Sequence, residues 1–164
     1  MTSTQRPPIR VAIVDDQALV RGGFGMILEA EPDIHVIGQA ADGSQAITLC
    51  REHSPDVVLM DVRMPVMDGV EATRHSSATT NTRVLMLTTF DLDAHIYAAI
   101  RAGASGFLLK DVRPEQLVHA VRTVAAGETH LAPAITQRLL AEFVRRPPPG
   151  QAPPGIAKLT EREQ

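Results

Sequence analysis

Residues 55–65 read Pro55-Asp-Val-Val-Leu-Met-Asp-Val-Arg-Met-Pro65, an apolar run from Val57 to Met60 that stops at an aspartate. Four successive apolar residues leave no polar face for solvent. A strand made of them is buried on both sides, as in parallel sheets. Working outward, the same pattern recurs at residues 9–14 (IRVAIV), 34–40 (IHVIGQA), 83–87 (RVLML) and 106–109 (GFLL). Helical spacing lies between these runs. Val20, Phe24, Ile27 and Leu28 share one face of a first helix, and Ile96, Ala99, Ile100 and Gly103 one face of a fourth. Leu117, Ala120, Val121 and Val124 do so in a fifth. Glu31-Pro-Asp33, Asp42-Gly43, Ser54-Pro-Asp56, Asp68-Gly69 and Gly103-Ala-Ser-Gly106 punctuate the series as turns. Five strands alternating with five helices predict a doubly wound α/β domain at residues 9–127. The third helix is expected to be short or frayed, because His75 to Thr82 is polar and poor in helix formers.

The 164 residues suffice for one cored domain plus tails. Hydrophobic residues at 44% and charged residues at 21% fall in the ordinary globular range. No apolar stretch approaches the length needed to cross a bilayer, so no membrane partner is expected. Residues 1–8 are polar, lack the apolar run of a secretory signal and are expected to be disordered. A cytoplasmic setting is the expectation, and the lone Cys50 agrees with it, reading best as a small core residue. A formal net charge of −3 argues against nucleic-acid binding by this segment. The six histidines stand too far apart to form a close-spaced ligand set.

Beyond the α/β domain, residues 128–158 read as a linker. Ile135, Leu139, Leu140, Phe143 and Val144 make residues 133–144 an amphipathic helix, and the Pro-rich stretch 145–155 reads as extended. Thr160 and Glu163 have the spacing of a capping box. Residues 159–164 are therefore expected to open a second domain that the sequence enters without completing.

In open parallel sheets, functional groups collect at the carboxyl ends of strands, near the switch in strand order. Asp15 and Asp16 follow the first run and Asp61 follows the third. On the strand order 2-1-3-4-5, expected partly by analogy with known sheets of this kind, those strands are neighbours, so the three acids are expected to share a pocket. Crowded carboxylates are hard to keep ionised without a cation, and a hard divalent ion such as Mg²⁺ suits them. The fourth run ends at Thr88 and the fifth at Lys110, a hydroxyl and a compact ammonium fit for phosphoryl oxygens. The chain has 14 arginines and two lysines, and Lys110 is the only lysine of the α/β domain. These are the parts for phosphoryl transfer to a carboxylate nucleophile.

Asp15-Asp16, the 55–65 stretch, Asp68-Gly69, Leu87-Thr88 and Gly103-Ala-Ser-Gly-Phe-Leu-Leu-Lys110 resemble the receiver domains of bacterial two-component response regulators. Thr88-Thr-Phe-Asp91 and the terminal Leu159-Thr-Glu-Arg-Glu163 resemble the NarL/FixJ subfamily, whose output is a LuxR-type helix-turn-helix. The resemblance implies a five-stranded, flavodoxin-like parallel sheet of order 2-1-3-4-5, with helices on both faces. It implies that Asp61 accepts a phosphoryl group from a sensor histidine kinase or a small phosphodonor. Asp16 and Asp61 would bind Mg²⁺ by side chain and Arg63 by its carbonyl, with Asp15 acting directly or through water. Thr88 and Lys110 would hold phosphoryl oxygens, and Phe107 would change rotamer as Thr88 moves. Phosphorylation would switch homodimerisation and promoter binding by the helix-turn-helix domain, with no turnover of a substrate. The readout face would be the fourth helix, fifth strand and fifth helix, or the first and fifth helices. Three positions depart from the usual pattern: Phe107 replaces a frequent tyrosine, Asp111 a frequent proline, and Val66 a frequent glycine. Arg63 and Phe90 are expected to flank the line of water attack and slow dephosphorylation.

Taken singly, each residue has a plainer reading. Asp15-Asp16 could cap a helix, Asp61 could be a turn residue, Lys110 a solvated cation and Phe107 core. Their coincidence at four strand ends outweighs these. A Mg²⁺-dependent phosphohydrolase with an aspartyl nucleophile would need a second acid where Arg63 stands. A dinucleotide-binding domain is disfavoured because Asp15-Asp16 would repel pyrophosphate, and Gly22, Gly23 and Gly25 lack the G-x-G-x-x-G spacing. A receiver-shaped docking module regulated without phosphorylation remains open.

Overall fold

The structure, a computed structural model, describes residues 7–88, 93–131 and 136–137. The elements run β1 (Ile9–Val14), α1 (Ala18–Glu29), β2 (Ile34–Ala40), α2 (Gly43–His53), β3 (Val57–Asp61), α3 (Gly69–Thr79), β4 (Arg83–Thr88), α4 (Asp93–Ala102), β5 (Gly106–Leu109), α5 (Pro114–Ala125) and β6 (His130–Leu131). All pairings are parallel, in the order β2-β1-β3-β4-β5-β6. The expected 2-1-3-4-5 arrangement is there, and one strand is added to it. β6 is only two residues long, so it carried no periodicity of its own. The sheet thus runs past residue 127 to Leu131. The amphipathic stretch 133–144, the Pro-rich stretch and residues 1–6 and 159–164 lie outside the described residues, apart from residues 136–137.

The continuously apolar runs are explained by two cores, one on each face. Ala12, Val14, Val58, Met60, Val84, Met86 and Phe107 face Ala46 and Cys50 of α2, Ala72 of α3 and Ala99 of α4. Val11, Ile13, Val57, Leu59, Leu85, Leu87 and Leu108 face Phe24 and Leu28 of α1 and Leu117, Val121 and Val124 of α5. Each large side chain withdrawn from water contributes about 1.5–3 kcal/mol, so the sheet is fixed by its interior.

The third helix corrects the expectation of a short or frayed element: α3 has 11 residues. Asp68 caps it by accepting the Glu71 N–H at 2.9 Å. The polar side chains that lower intrinsic propensity are absorbed locally, with Thr73 Oγ1 donating to Gly69 O (2.6 Å) and Thr79 Oγ1 to His75 O (2.8 Å). Glu71 pairs with Arg74 and, at 3.3 Å, with His75 on the outer face. Ala72, Thr73 and Ser76 are buried. Their small size permits close packing against the sheet, and packing overrides propensity.

At the β2 edge, the Glu29 carboxylate accepts the backbone N–H of Val36 at 2.8 Å and lies 3.5 Å from the His35 ring. Arg122 of α5 reaches the β2 approach, donating to both oxygens of Asp33 (2.8 and 2.9 Å) and to Glu31 (2.9 Å).

Candidate functional site

β1 and β3 are adjacent, with Val14 opposite Met60. The next residue of each strand is therefore an acid, and neighbouring strands lie about 4.8 Å apart. The outcome is a cluster in which carboxylate oxygens of Asp15, Asp16 and Asp61 all fall within 4.8 Å of one another. Asp15 and Asp61 are buried, while Asp16 opens to solvent. Lys110, just past β5, reaches over the strand ends: its Nζ stands 3.0 Å from Asp15 Oδ2 and 3.1 Å from Asp61 Oδ2. The backbone holds this geometry. Asp15 N–H donates to Ala40 O (3.1 Å), Val62 N–H to Leu87 O (3.2 Å) and Lys110 N–H to Thr88 O (2.7 Å). Asp15 Oδ1 accepts the Gln17 N–H at 2.9 Å, which steadies the turn into α1. The cap position itself belongs to Gln17, whose side chain makes no capping bond, so Asp15-Asp16 are not the helix cap of the plainer reading.

Burial is the first cause that pushes the Asp61 carboxyl up, to about 6, and the charge of Asp15 adds to it against the pull of Lys110. For Lys110, burial works against the charged form, but Asp15 and Asp61 together outweigh it and hold the ammonium above its ordinary value. Asp15 Oδ2 is buried, and although the Lys110 ammonium is close, no hydrogen bond of good geometry reaches it. Three crowded acids against one lysine leave a net negative pocket of hard oxygen donors. That donor set fits a small divalent cation.

The other expected residues fall as follows. Thr88 is buried at the end of β4, and its carbonyl is engaged by Lys110. Phe107 is fully buried among the residues facing α2, α3 and α4, as its plainer reading as a core residue expects. Arg63 lies exposed in the loop after β3. Phe90 lies outside the described residues. Two positions were underread as plain turns. A Cβ at Gly69 would overlap the carbonyl oxygen of Asp61, and one at Gly43 that of Met67. Gly69 N–H donates to Val62 O at 2.8 Å and Gly43 N–H to Met67 O at 2.9 Å. These glycines let the starts of α2 and α3 approach the backbone at Met67 and Asp61 closely. Val66 in that loop has φ 68, a left-handed conformation costly for a β-branched residue. Its replacement of a common glycine was the signal in the sequence.

Among the described residues no helix is long and apolar enough to cross a membrane. The response regulator receiver domain family matches residues 11–122. The transcriptional regulatory protein YxjL of Bacillus subtilis (strain 168) is 42% identical over 156 residues, spanning 94% of this chain and 72% of that protein. The oxygen regulatory protein NreC of Staphylococcus haemolyticus (strain JCSC1435) is 40% identical, over 83% of this chain and 64% of its own length. Among solved structures, the receiver domain of the response regulator NarL from Mycobacterium tuberculosis superposes with a TM-score of 0.72 at 40% identity. That match covers 75% of this chain and 100% of the other. A LuxR-family response regulator from Aurantimonas sp. SI85-9A1 gives a TM-score of 0.77 at 37% identity, covering 84% and 99%. The chain therefore belongs to the response regulator receiver family, among the NarL-type regulators of the LuxR class.

Proposed function

We propose that this chain is the phosphoacceptor of a two-component pair and that Asp61 receives the phosphoryl group. The observation that carries the reading is the lysine ammonium held between Asp15 and Asp61, next to a carboxyl that burial has made reluctant to ionise. Asp15, Asp16 and Asp61, with the Arg63 carbonyl, would hold Mg²⁺, which when bound supplies positive charge to the acids and to phosphoryl oxygens. Asp61, ionised, attacks phosphorus. Its O–P bond forms as the P–N bond of a kinase phosphohistidine breaks, and the electron pair returns to the imidazole. Lys110 is placed to follow the negative charge from the Asp61 carboxylate onto a phosphoryl oxygen. The Thr88 hydroxyl donates to a second oxygen, and Phe107 repacks as Thr88 moves. The role is regulatory: the domain carries a signal and turns over no separate substrate. Dimerisation and promoter binding through a helix-turn-helix domain, in the cytoplasm, complete the reading by likeness to relatives named as transcriptional regulatory proteins.

Incubation with acetyl phosphate and Mg²⁺, followed by intact mass, tests it. A gain of one phosphoryl group that is abolished in Asp61→Asn supports the reading. No gain in the parent chain, with the fold intact, refutes it in favour of a docking module that works without phosphorylation.

A further inference from the structure

One residue beneath the acidic pocket, an unbroken row of side chains crosses the whole sheet. The register places Ala40 opposite Val14, Val14 opposite Met60, Met60 opposite Met86, Met86 opposite Phe107 and Phe107 opposite Leu131. Residues paired in register point to the same face. All six members belong to or pack against the core that faces α2, α3 and α4. Asp15 and Asp61 are the residues that immediately follow Val14 and Met60. Met60, Met86 and Phe107 are fully buried, so none can shift without its neighbour responding. Two unbranched methionines make the row adaptable.

The row ends on β6, the edge strand of the sheet. His130 N–H donates to Ser105 O at a long 3.3 Å. The His130 ring meets the His119 ring of α5 edge-on, with centroids 5.9 Å apart. Gly106 is what admits β6 to the sheet, since a Cβ there would overlap the His130 carbonyl oxygen. A short edge strand, two residues long among those described, sits at the low end of local stability. Residue 132 and everything after it follow this strand in sequence.

We propose that β6 is a latch controlled by this row: filling the Asp61 pocket seats Leu131 against Phe107 and raises the docked fraction of β6. The state of the pocket would thereby reach the chain that follows. The direction comes from the β4–β5 seam. A phosphoryl group on Asp61 draws Thr88 and Lys110 inward, and these two are already joined by the 2.7 Å backbone bond. The seam in which Phe107 lies then tightens on Leu131. The latch rests on the phosphoacceptor reading and adds to it the element that conveys the signal.

The test is hydrogen exchange on the 164-residue chain with and without Mg²⁺ and beryllofluoride, with pocket occupancy followed separately by fluorine NMR. In the occupied protein, the β6 segment should exchange about tenfold more slowly. Coupling is reciprocal, so Leu131→Ala should weaken beryllofluoride binding by about the same factor. His130→Pro, which removes the N–H given to Ser105 and leaves the core side chains in place, should do likewise. A cooperative melt for each variant shows that the domain still folds. Unchanged β6 exchange at full occupancy overturns the latch, and so does unchanged affinity in both variants. No bound beryllofluoride in the parent chain would instead overturn the phosphoacceptor reading, and the latch would fall with it.

Discussion

Replacing Asp61 with asparagine should stabilise this domain when no divalent cation is present. Its carboxyl is pushed from 3.8 to about 6 by burial and by Asp15, so at neutral pH the folded state holds a charge it disfavours. A displacement of roughly two units is worth about 3 kcal/mol at 1.36 kcal/mol per unit. Solvent beside the exposed Asp16 screens part of this, and the shift already includes the pull of the 3.1 Å Lys110 contact that the variant gives up. A net gain of about 1–2 kcal/mol remains, or a rise in melting temperature of about 2–8 °C. The sign follows from linkage. A carboxyl whose folded pKa is raised binds its proton more tightly in the folded state, so parent stability falls as pH climbs from about 4 to about 6. Asparagine has no such dependence. The variant's advantage should therefore be widest above about pH 6 and should close toward pH 4. Saturating Mg²⁺ should narrow it from the other side by stabilising the parent. The assay is thermal melting in chelator across that range. An Asp61→Asn chain that melts at or below the parent at about pH 7.5 would refute the crowded-pocket reasoning.

Lys110→Met removes the ammonium from two buried carboxylates and should cost about 2–4 kcal/mol in chelator, partly restored by Mg²⁺; a denaturant melt with no loss would count against the pairing. Gly69→Ala sets a methyl against the Asp61 carbonyl. It should lower stability by more than about 2 kcal/mol and slow acyl phosphate labelling, read by intact mass over time. Val66→Gly should raise stability by about 1 kcal/mol by relieving a left-handed valine, which urea titration would detect; a loss instead would mean that the exposed side chain has a partner.

Strands buried on both faces were legible because their apolar runs were unbroken, and those runs ended where the acids begin. Asp15, Asp61 and Lys110 could be named together because each stands at the end of an apolar run and the family resemblance implied which runs are neighbours. α3 was misjudged because propensity weighs residues singly, whereas Thr73, Ser76 and Ala72 answer to the space between α3 and the sheet. β6 escaped notice for a related reason. His130 and Leu131 have no pattern of their own and become a strand only because Gly106 leaves room beside β5. Asp68-Gly69 looked like a turn, and no one-dimensional signal could tell that its glycine lies against the Asp61 carbonyl.

The two rims of the sheet have consequences for how copies of this domain can meet. On one side the Glu29 carboxylate occupies the outward N–H of Val36, so an incoming extended segment would find a donor already taken and a negative charge in its way. On the other, β6 offers only two residues, too little backbone to template a foreign strand. Among the described residues, joining of copies by sheet continuation is thereby discouraged at both margins.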